Sequence, residues 1–143
     1  MKSLFRAAAL ALAGFCAAQA AEWHTDVPKA IAKAKAEHKL VLLDFTGSDW
    51  CGWCMKLKEE VFDTAEFEAY AAKNLVLVEV DFPREKKLSA EQKAANKALA
   101  AKYQVKGYPT IWVLDGTGMP VAKLGYMPGG PKAFIAELAK VKK

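Results

Sequence analysis

Histidine and cysteine are scarce in this sequence, and their scarcity narrows the chemistry that the chain can perform. Two histidines and three cysteines occur in 143 residues. A zinc site needs about four ligands, and neither His24 nor His38 stands at metal-ligand spacing from the cysteines. Internal repeats, low-complexity tracts and linkers are also absent after Ala21. We therefore predict a single domain without a metal site, and the length leaves no room for a separate cofactor domain.

Clustered basic charge is missing too. The chain carries 21 Lys and Arg against 16 Asp and Glu, a net charge of +5 at pH 7. The lysines are scattered along the sequence and are not grouped in a basic stretch interleaved with aromatic residues, the pattern that nucleic-acid binding favours. We interpret the charge as a solvated surface and predict no nucleic-acid partner.

Hydrophobic runs long enough to cross a membrane are absent as well. The run from Ala7 to Ala18 is shorter than the roughly 20 residues that a spanning helix needs, and no later run is long enough. A positive start precedes this run, and Ala18-Gln19-Ala20 follows it with small residues where a signal peptidase cuts. The pattern predicts a signal peptide over residues 1–20 and a mature domain over residues 21–143. We expect a periplasmic or secreted protein, not inserted in the membrane after signal removal.

The predicted cleavage also changes the cysteine count. Cys16 lies inside the signal peptide, so Cys51 and Cys54 are the cysteines of the mature chain. A lipoprotein would instead keep Cys16 as its first residue, but Phe15 stands where that processing needs a small residue, and this alternative ranks lower. An exported protein with one close cysteine pair belongs in a compartment where disulfides persist.

Helical and strand patterns alternate along the mature chain. Helices are predicted to begin near Asp26, Cys51, Asp63, Ser89 and Pro131, and strands to cover Leu40–Phe45, Leu75–Val80, Thr110–Leu114 and Val121–Leu124. Helices that alternate with buried strands indicate a parallel core, and the turn over residues 115–118 closes a hairpin at the edge. The predicted fold is a three-layer α/β sandwich with a central mixed sheet, parallel core strands and a C-terminal antiparallel hairpin.

The strongest motif is Trp50-Cys51-Gly52-Trp53-Cys54, directly after a buried strand and at the start of a helix. Two thiols at positions i and i+3 of a first helical turn can close a small disulfide ring. Unpaired N–H groups and the helix dipole at this end favour a thiolate on Cys51. Cys54 lies deeper and can attack the mixed disulfide that Cys51 forms. The spacing therefore favours a reversible two-electron redox pair.

Three other interpretations of the cysteine pair compete with a redox role. A purely structural disulfide closes so little chain that it would stabilise the fold only slightly. A haem attachment needs a histidine after the second cysteine, and Met55 stands there. Capture of monovalent copper by the two thiolates is the strongest of the alternatives, because soft sulfur ligands select that ion, and it stays open at this point.

Three segments together carry a resemblance to a known family. They are Asp44-Phe45 followed by Trp50-Cys51-Gly52-Trp53-Cys54, the strand ending Val80-Asp81, and Gly107-Tyr108-Pro109-Thr110. On these segments the chain resembles the thioredoxin-fold family from about Trp23 to the C-terminus. The stretch over residues 45–54 is most similar to exported bacterial thioredoxin-like proteins. It also resembles the thioredoxin-like end domain of the membrane electron carrier that feeds reductant to the periplasm.

The resemblance implies catalytic roles for three residues. Cys51 corresponds to the exposed attacking thiol, Cys54 to the resolving thiol, and Asp44 to a buried carboxyl that relays a proton for the deeper thiol. Burial alone also predicts a raised pKa for Asp44, because an acid on an apolar strand ionises at a cost. An Asp44 that only accepts backbone hydrogen bonds is the alternative.

The resemblance also implies a substrate-binding surface made by Trp50, Trp53, Tyr108 and Pro109. Trp50 matches the aromatic residue that shields the pair, although it can equally be a packing residue. Pro109 matches the cis-proline of the family, beside which the Tyr108 backbone would pair with an extended substrate segment. The alternative for Pro109 is an ordinary edge-strand start.

Several positions depart from thioredoxin itself. One extra residue separates Asp44 from Cys51, which leaves the reach of Asp44 to Cys54 open. Glu79 stands where thioredoxin carries a lysine, and it would raise the pKa of Asp44 further if it pointed inward. Gly52-Trp53 replaces Gly-Pro, and Asp49 near the helix start should oppose a very acidic Cys51.

We therefore predict an exported thiol–disulfide oxidoreductase, with a preference for protein-disulfide reductase, because no histidine stabilises a thiolate beside Cys51. The predicted partners are exported protein thiols and disulfides and a membrane protein that donates electrons, and no cofactor is predicted. The rivals with the same fold are an isomerase, an oxidant and a reductant for cytochrome c maturation. The rival from another class is a non-catalytic protein that holds copper, or a client in the groove of Tyr108 and Pro109.

Overall fold

The computed structural model describes residues 20–141 of the chain, and this part contains five strands and five α-helices. The strands are β1 Trp23–His24, β2 Leu40–Thr46, β3 Leu75–Asp81, β4 Thr110–Leu114 and β5 Pro120–Leu124. The helices are α1 Val27–Glu37, α2 Gly52–Leu57, α3 Ala65–Asn74, α4 Ala90–Lys102 and α5 Gly130–Ala139. A π-helical segment, Lys58–Phe62, continues α2.

The strands form one mixed sheet in the order β1-β3-β2-β4-β5. β1, β3 and β2 run parallel, β4 runs antiparallel to β2, and β5 is antiparallel to β4. All seven residues of β2 are buried, because helices cover both faces of the central strand. The predicted α/β sandwich with parallel core strands and a C-terminal hairpin is confirmed.

Alternation along the strands divides the apolar core into two layers. Leu40 and Leu42 of β2 face the layer formed with α2, the π-helical segment, α3 and α5, where Phe62, Phe67 and Phe134 pack together. The intervening residues of β2 face the layer formed with α1 and α4. By the same alternation Asp44 lies on the first face, under the helix that begins at the cysteine pair.

Side-chain caps set the helix starts where the sequence predicts them. Asp26, Thr64 and Ser89 each accept a hydrogen bond from the backbone N–H three residues on. Two features differ from prediction. β1 was not expected, since two residues carry too short a pattern, and the helix stripe that runs to Phe62 contains a π-helical segment after Leu57.

The predicted signal peptide falls almost wholly outside the described residues, which begin at residue 20. Within residues 20–141 no helix is both long enough and apolar enough to cross a bilayer.

Candidate active site

Three chain segments meet at one edge of the sheet. The parallel strands β2 and β3 both end there, with Thr46 beside Asp81. Because β4 is antiparallel, it begins at the same edge, and its first residue, Thr110, pairs with Phe45. The segment after β2 leads into the cysteine motif, and the segment before β4 is Tyr108-Pro109. The topology thus brings the predicted catalytic and substrate-binding segments together.

Cys51 and Cys54 form a disulfide at the start of α2, with their Cα atoms 5.2 Å apart. Cys51 is the N-cap of this helix, and the backbone N–H of Cys54 donates to Cys51 Sγ at 3.3 Å. An N–H group aimed at sulfur at the positive end of a helix stabilises a thiolate there after reduction. In the disulfide form the two residues differ little in exposure, 7% for Cys51 and 5% for Cys54, so the expected contrast between an exposed and a deeper thiol is small.

Trp50 is held on three sides. Its Nε1 donates to the carbonyl oxygen of Phe82 at 2.8 Å, its ring meets Tyr108 edge to face at 5.8 Å, and the Arg84 guanidinium lies 4.2 Å from the ring centroid. Gly47 lies under the ring, and a Cβ there would stand 2.5 Å from Trp50 Cε2. The ring position therefore depends on glycine at residue 47.

Trp53 lies on a separate aromatic patch and is 57% exposed. Its ring packs on Tyr126 at 4.9 Å, and Lys56 Nζ lies 5.2 Å from the Trp53 ring. Tyr126 donates to Glu60 Oε2 at 2.7 Å. A large exposed aromatic beside the disulfide is suited to contacting a partner chain, because such rings lose little rotamer entropy on burial.

The Tyr108–Pro109 peptide bond is cis. Tyr108 packs against both Trp50 and Phe82, with the Phe82 ring centroid at 5.3 Å, and partial burial raises the pKa of its phenol. Thr110 Oγ1 donates to the Gly107 carbonyl oxygen at 2.7 Å, which closes the turn. Trp50, Tyr108 and Pro109 thus lie together at the sheet edge, whereas Trp53 belongs to the patch with Tyr126.

Asp44 is a buried acid that lacks a full set of hydrogen bonds. It is 8% exposed, and its Oδ1 has no hydrogen-bond partner. Burial, together with the nearby carboxylates of Glu79 and Asp81, raises the pKa of Asp44 to about 8. Glu79 is the register neighbour of Asp44 on β3, so the expectation that an inward Glu79 would raise this pKa holds. A group with such a pKa exchanges its proton near neutral pH.

Asp49 accepts hydrogen bonds from the loop after β3. Its carboxylate accepts the backbone N–H groups of Arg84, Glu85 and Lys86 at 2.8–2.9 Å. These bonds, that of Arg84 foremost, hold the pKa of Asp49 below its ordinary value. Three charge-assisted hydrogen bonds thus join the Asp49 carboxylate to the loop after β3. That its charge opposes a very acidic Cys51 stays a prediction.

Within residues 20–141 no group of three or more His, Cys, Asp or Glu side chains is placed to hold a metal ion. Two thiolates are enough to bind monovalent copper, so copper binding by Cys51 and Cys54 stays an alternative.

Residues 27–142 match the thioredoxin-like domain family. The chain belongs to this family. The thioredoxin-like chain is 38% identical over 110 residues to the disulfide bond reductase DsbH of Chlamydia pneumoniae. The aligned residues make up 77% of this chain and 66% of DsbH. It is 30% identical over 103 residues to the thioredoxin-related protein DsbJ of the same organism, covering 72% of this chain and 30% of DsbJ.

A solved DsbH oxidoreductase superposes with a TM-score of 0.81 at 34% identity, covering 94% of this chain and 93% of that one. The two curated relatives are longer, since the thioredoxin-like chain spans less than two thirds of either. These relatives and the closed cysteine pair support the predicted class, a thiol–disulfide oxidoreductase.

Gly47, Arg84 and Lys86 were not predicted as site residues of this thioredoxin-like chain. Asp49 was predicted to act on Cys51, but its bonds to the loop after β3 were not foreseen. The carboxylate of Asp49 bonds to backbone groups 35 to 37 residues further along the chain, and no local pattern reports such pairs.

Proposed function

We propose that the protein is an exported protein-disulfide reductase in which Cys51 attacks and Cys54 resolves. The observation that carries this is the Cys51–Cys54 disulfide at the first turn of α2, with the Cys54 N–H directed at Cys51 Sγ. Because both cysteines lie within one helical turn, Cys54 attacks the mixed disulfide intramolecularly, and proximity accelerates this step.

The first step is attack of the Cys51 thiolate on a substrate disulfide. A bond forms between Cys51 Sγ and one substrate sulfur, and the other substrate sulfur leaves as a thiolate and takes a proton from water. The substrate segment lies between the Trp50–Tyr108 pair and the exposed Trp53, beside the backbone of Tyr108 and Pro109. An extended segment would pair with this backbone as an added strand.

The second step is resolution. The Cys54 thiol gives its proton to the Asp44 carboxylate, and Cys54 Sγ then attacks Cys51 Sγ. The Cys51–Cys54 disulfide forms, the remaining substrate thiolate leaves and is protonated, and two electrons have passed to the substrate. The position of Asp44 on the sheet face that α2 covers supports this assignment. A dithiol donor must then reduce the pair again, and a membrane electron carrier is the proposed source.

Trapping tests the exchange chemistry. In Cys54→Ser the mixed disulfide cannot be resolved, so incubation with a disulfide-bonded peptide should accumulate a covalent adduct that intact mass spectrometry detects. Cys51→Ser is the matched control and should trap far less, because the attacking sulfur is gone. If Cys54→Ser forms no adduct while the wild-type pair retains monovalent copper, the protein is a metal binder and the proposal fails.

The reduction potential tests the direction of electron flow. Arg84 and Lys56 lie over the rings of Trp50 and Trp53, and Asp49 adds negative charge near the helix start, so strong stabilisation of a Cys51 thiolate is not expected. Equilibration with dithiol or glutathione buffers, followed by tryptophan fluorescence, should give about −270 mV, as for thioredoxin. A value of about −180 to −120 mV would identify an isomerase or an oxidant instead.

Export is part of the proposal. Removal of residues 1–20 leaves a mature domain of residues 21–143, and β1 begins just after it at Trp23. Disulfide chemistry in the periplasm or outside the cell agrees with a redox-active cysteine pair in an exported protein. Expression of the full chain and intact mass analysis of the exported fraction should give a protein that begins at Ala21. A mass that retains residues 1–20 in that fraction would contradict the assignment.

A further inference from the structure

Lys86 reaches from the loop after β3 towards two carboxylates that act on Asp44. Its Nζ lies 3.6 Å from Glu79 Oε1 and 3.7 Å from Asp81 Oδ2. Glu79 and Asp81 alternate with Val80 on β3 and share the sheet face of Asp44. The Lys86 ammonium therefore offsets negative charge that would otherwise hold the proton on Asp44.

Charged groups on the other elements around this face are engaged elsewhere. On α2 and the π-helical segment, Lys56 pairs with Glu60 and Lys58 with Asp63. β4, the other neighbour of β2, carries no charged residue, and the two cysteines are uncharged as a disulfide. Within the described residues Lys86 is thus the cation that the structure pairs with the carboxylates beside Asp44.

Asp49 fixes the backbone from which Lys86 extends. Its carboxylate accepts the N–H groups of Arg84 at 2.9 Å, Glu85 at 2.8 Å and Lys86 at 2.9 Å. Charge-assisted bonds of this kind are about twice as strong as neutral ones. Because Asp49 directly precedes Trp50-Cys51, the same residue connects the redox motif to the loop that carries Lys86.

We propose that Asp49 and Lys86 are positioning residues of the redox site: Asp49 holds the loop, and Lys86 thereby sets the pH at which Asp44 can take the proton of Cys54. Glu79 occupies the sequence position where thioredoxin has lysine, and the positive charge arrives here from a different segment. The inference rests on the proposed reductase function for its consequence in catalysis, while the electrostatic arrangement around Asp44 can be tested without it.

We expect the loss of Lys86 to raise the titration midpoint of Asp44. With the positive charge removed, Glu79 and Asp81 favour the protonated form of Asp44 up to a higher pH. The carboxylate form becomes rarer at neutral pH, and removal of the Cys54 proton becomes slower. Because Lys86 is 54% exposed, solvent screening limits the shift in the Asp44 titration midpoint to about half a pH unit or somewhat more.

Direct titration of Asp44 tests the proposal without relying on activity. The carboxyl ¹³C signal of Asp44 in the oxidised protein is assigned by its loss in Asp44→Asn and followed against pH. Lys86→Gln and Asp49→Ala should raise the midpoint, and Glu79→Gln should lower it because a like charge is removed. Lys86→Arg should keep the wild-type midpoint, and Lys87→Gln, which removes a neighbouring exposed charge from the same loop, serves as the matched control.

The outcomes separate this inference from the proposed function. Equal midpoints in Lys86→Gln and Lys87→Gln, or an upward shift in Glu79→Gln, would overturn the role of Lys86. If the wild-type protein fails to reduce a disulfide-linked fluorescent peptide, the reductase proposal fails while the titration still decides the electrostatic arrangement. If both hold, the pH profile of mixed-disulfide resolution should move with the Asp44 midpoint in each variant.

Discussion

At the scale of single residues, Asp44 carries an energetic cost that its function explains. A carboxyl group with a pKa of about 8 in the fold and an ordinary value of 3.8 binds a proton in the native state that the unfolded chain has released. Between these two values the free energy of unfolding falls as pH rises, because the native state holds more protons. Asp44 therefore lowers the free energy of unfolding near neutral pH, and its proposed role in proton transfer explains why an acid stands there.

Asp44→Asn should remove this dependence. Urea unfolding of the oxidised proteins should be measured at pH 5 and pH 8. Between these pH values the free energy of unfolding of the variant, relative to that of the wild type, should rise by on the order of 4 kcal/mol. Asp63→Asn, which removes an exposed carboxylate, is the control and should leave the pH dependence nearly unchanged. Parallel stability curves for wild type and Asp44→Asn would mean that Asp44 titrates normally.

Gly47 is the second residue whose identity the site demands. Gly47→Ala would put a methyl group 2.5 Å from a Trp50 ring carbon, so the ring must move and its bond to the Phe82 carbonyl oxygen is strained. We expect a loss of about 1–3 kcal/mol in the free energy of unfolding and a change in tryptophan fluorescence.

Gly52→Ala is the matched control for Gly47→Ala. Gly52 lies inside the cysteine motif, and a Cβ there meets no heavy atom within 4 Å. Its unfolding free energy should stay within about 0.5 kcal/mol of the wild type. A Gly47→Ala protein as stable as Gly52→Ala, with unchanged fluorescence, would show that the ring does not need this space.

Residue chemistry was predictable from the sequence where it lies in a motif. The roles proposed for Cys51 and Cys54 follow from spacing after a buried strand, and the raised pKa of Asp44 follows from an acid in an apolar run. The need for glycine at residue 47 and the bonds of Asp49 to residues 84–86 could not be predicted, because they involve a ring and a loop that only the folded chain places beside these residues.

At the scale of elements, the loop over residues 82–89 is held by side-chain acceptors, since it has no strand or helix of its own before Ser89 caps α4. Asp49→Ala removes the acceptor of three consecutive amide groups. Hydrogen exchange at Arg84, Glu85 and Lys86 should accelerate about tenfold or more, because bonds to a charged acceptor contribute about 1.5–3 kcal/mol each.

Asp115→Ala tests whether the effect on that loop is specific. Asp115 likewise accepts backbone N–H groups, from Thr117 and Met119, in the turn between β4 and β5. Its removal should accelerate exchange in that turn and leave residues 84–86 as they are. Unchanged exchange at residues 84–86 in Asp49→Ala would show that other contacts hold the loop.

Long periodic elements were predicted well, and short or non-local ones were not. α1, α3 and α4 begin at the predicted caps because Asp26, Thr64 and Ser89 satisfy free N–H groups locally. The direction of β4 could not be predicted from alternation, since a helix precedes it as it would precede a parallel strand, and the structure shows β4 antiparallel to β2. The π-helical segment likewise leaves no trace in a stripe of apolar residues.

At the scale of the whole molecule, the start of the folded domain can be located by truncation. Deletion of residues 1–20 should leave the urea midpoint unchanged, because the signal peptide is proposed to be absent from the mature protein. Deletion of residues 1–24 also removes β1, with its pairing to β3 and the contact of Trp23 with Phe62 at 5.2 Å. That deletion should cost about 1–3 kcal/mol, and equal stabilities would show that β1 contributes nothing.

The sheet order explains why the site could be foreseen only in part. Strand patterns and the cysteine motif together predict that β2 leads into the redox pair, and the resemblance adds the segment before β4. The joining of these segments to the loop after β3 depends on β3 lying beside β2 in register. That placement is a property of tertiary packing, and hydrophobic periodicity within one segment carries no information about it.

The contact of Gly47 with the Trp50 ring also restricts how this protein can vary. In a library with both positions randomised and selected for reductase activity, the two residues should be recovered as a correlated pair. Glycine at 47 should accompany a large aromatic residue at 50, and bulkier residues at 47 should survive only with a small side chain at 50. The residues at positions 47 and 50 should thus be selected together, although two residues stand between them in the chain.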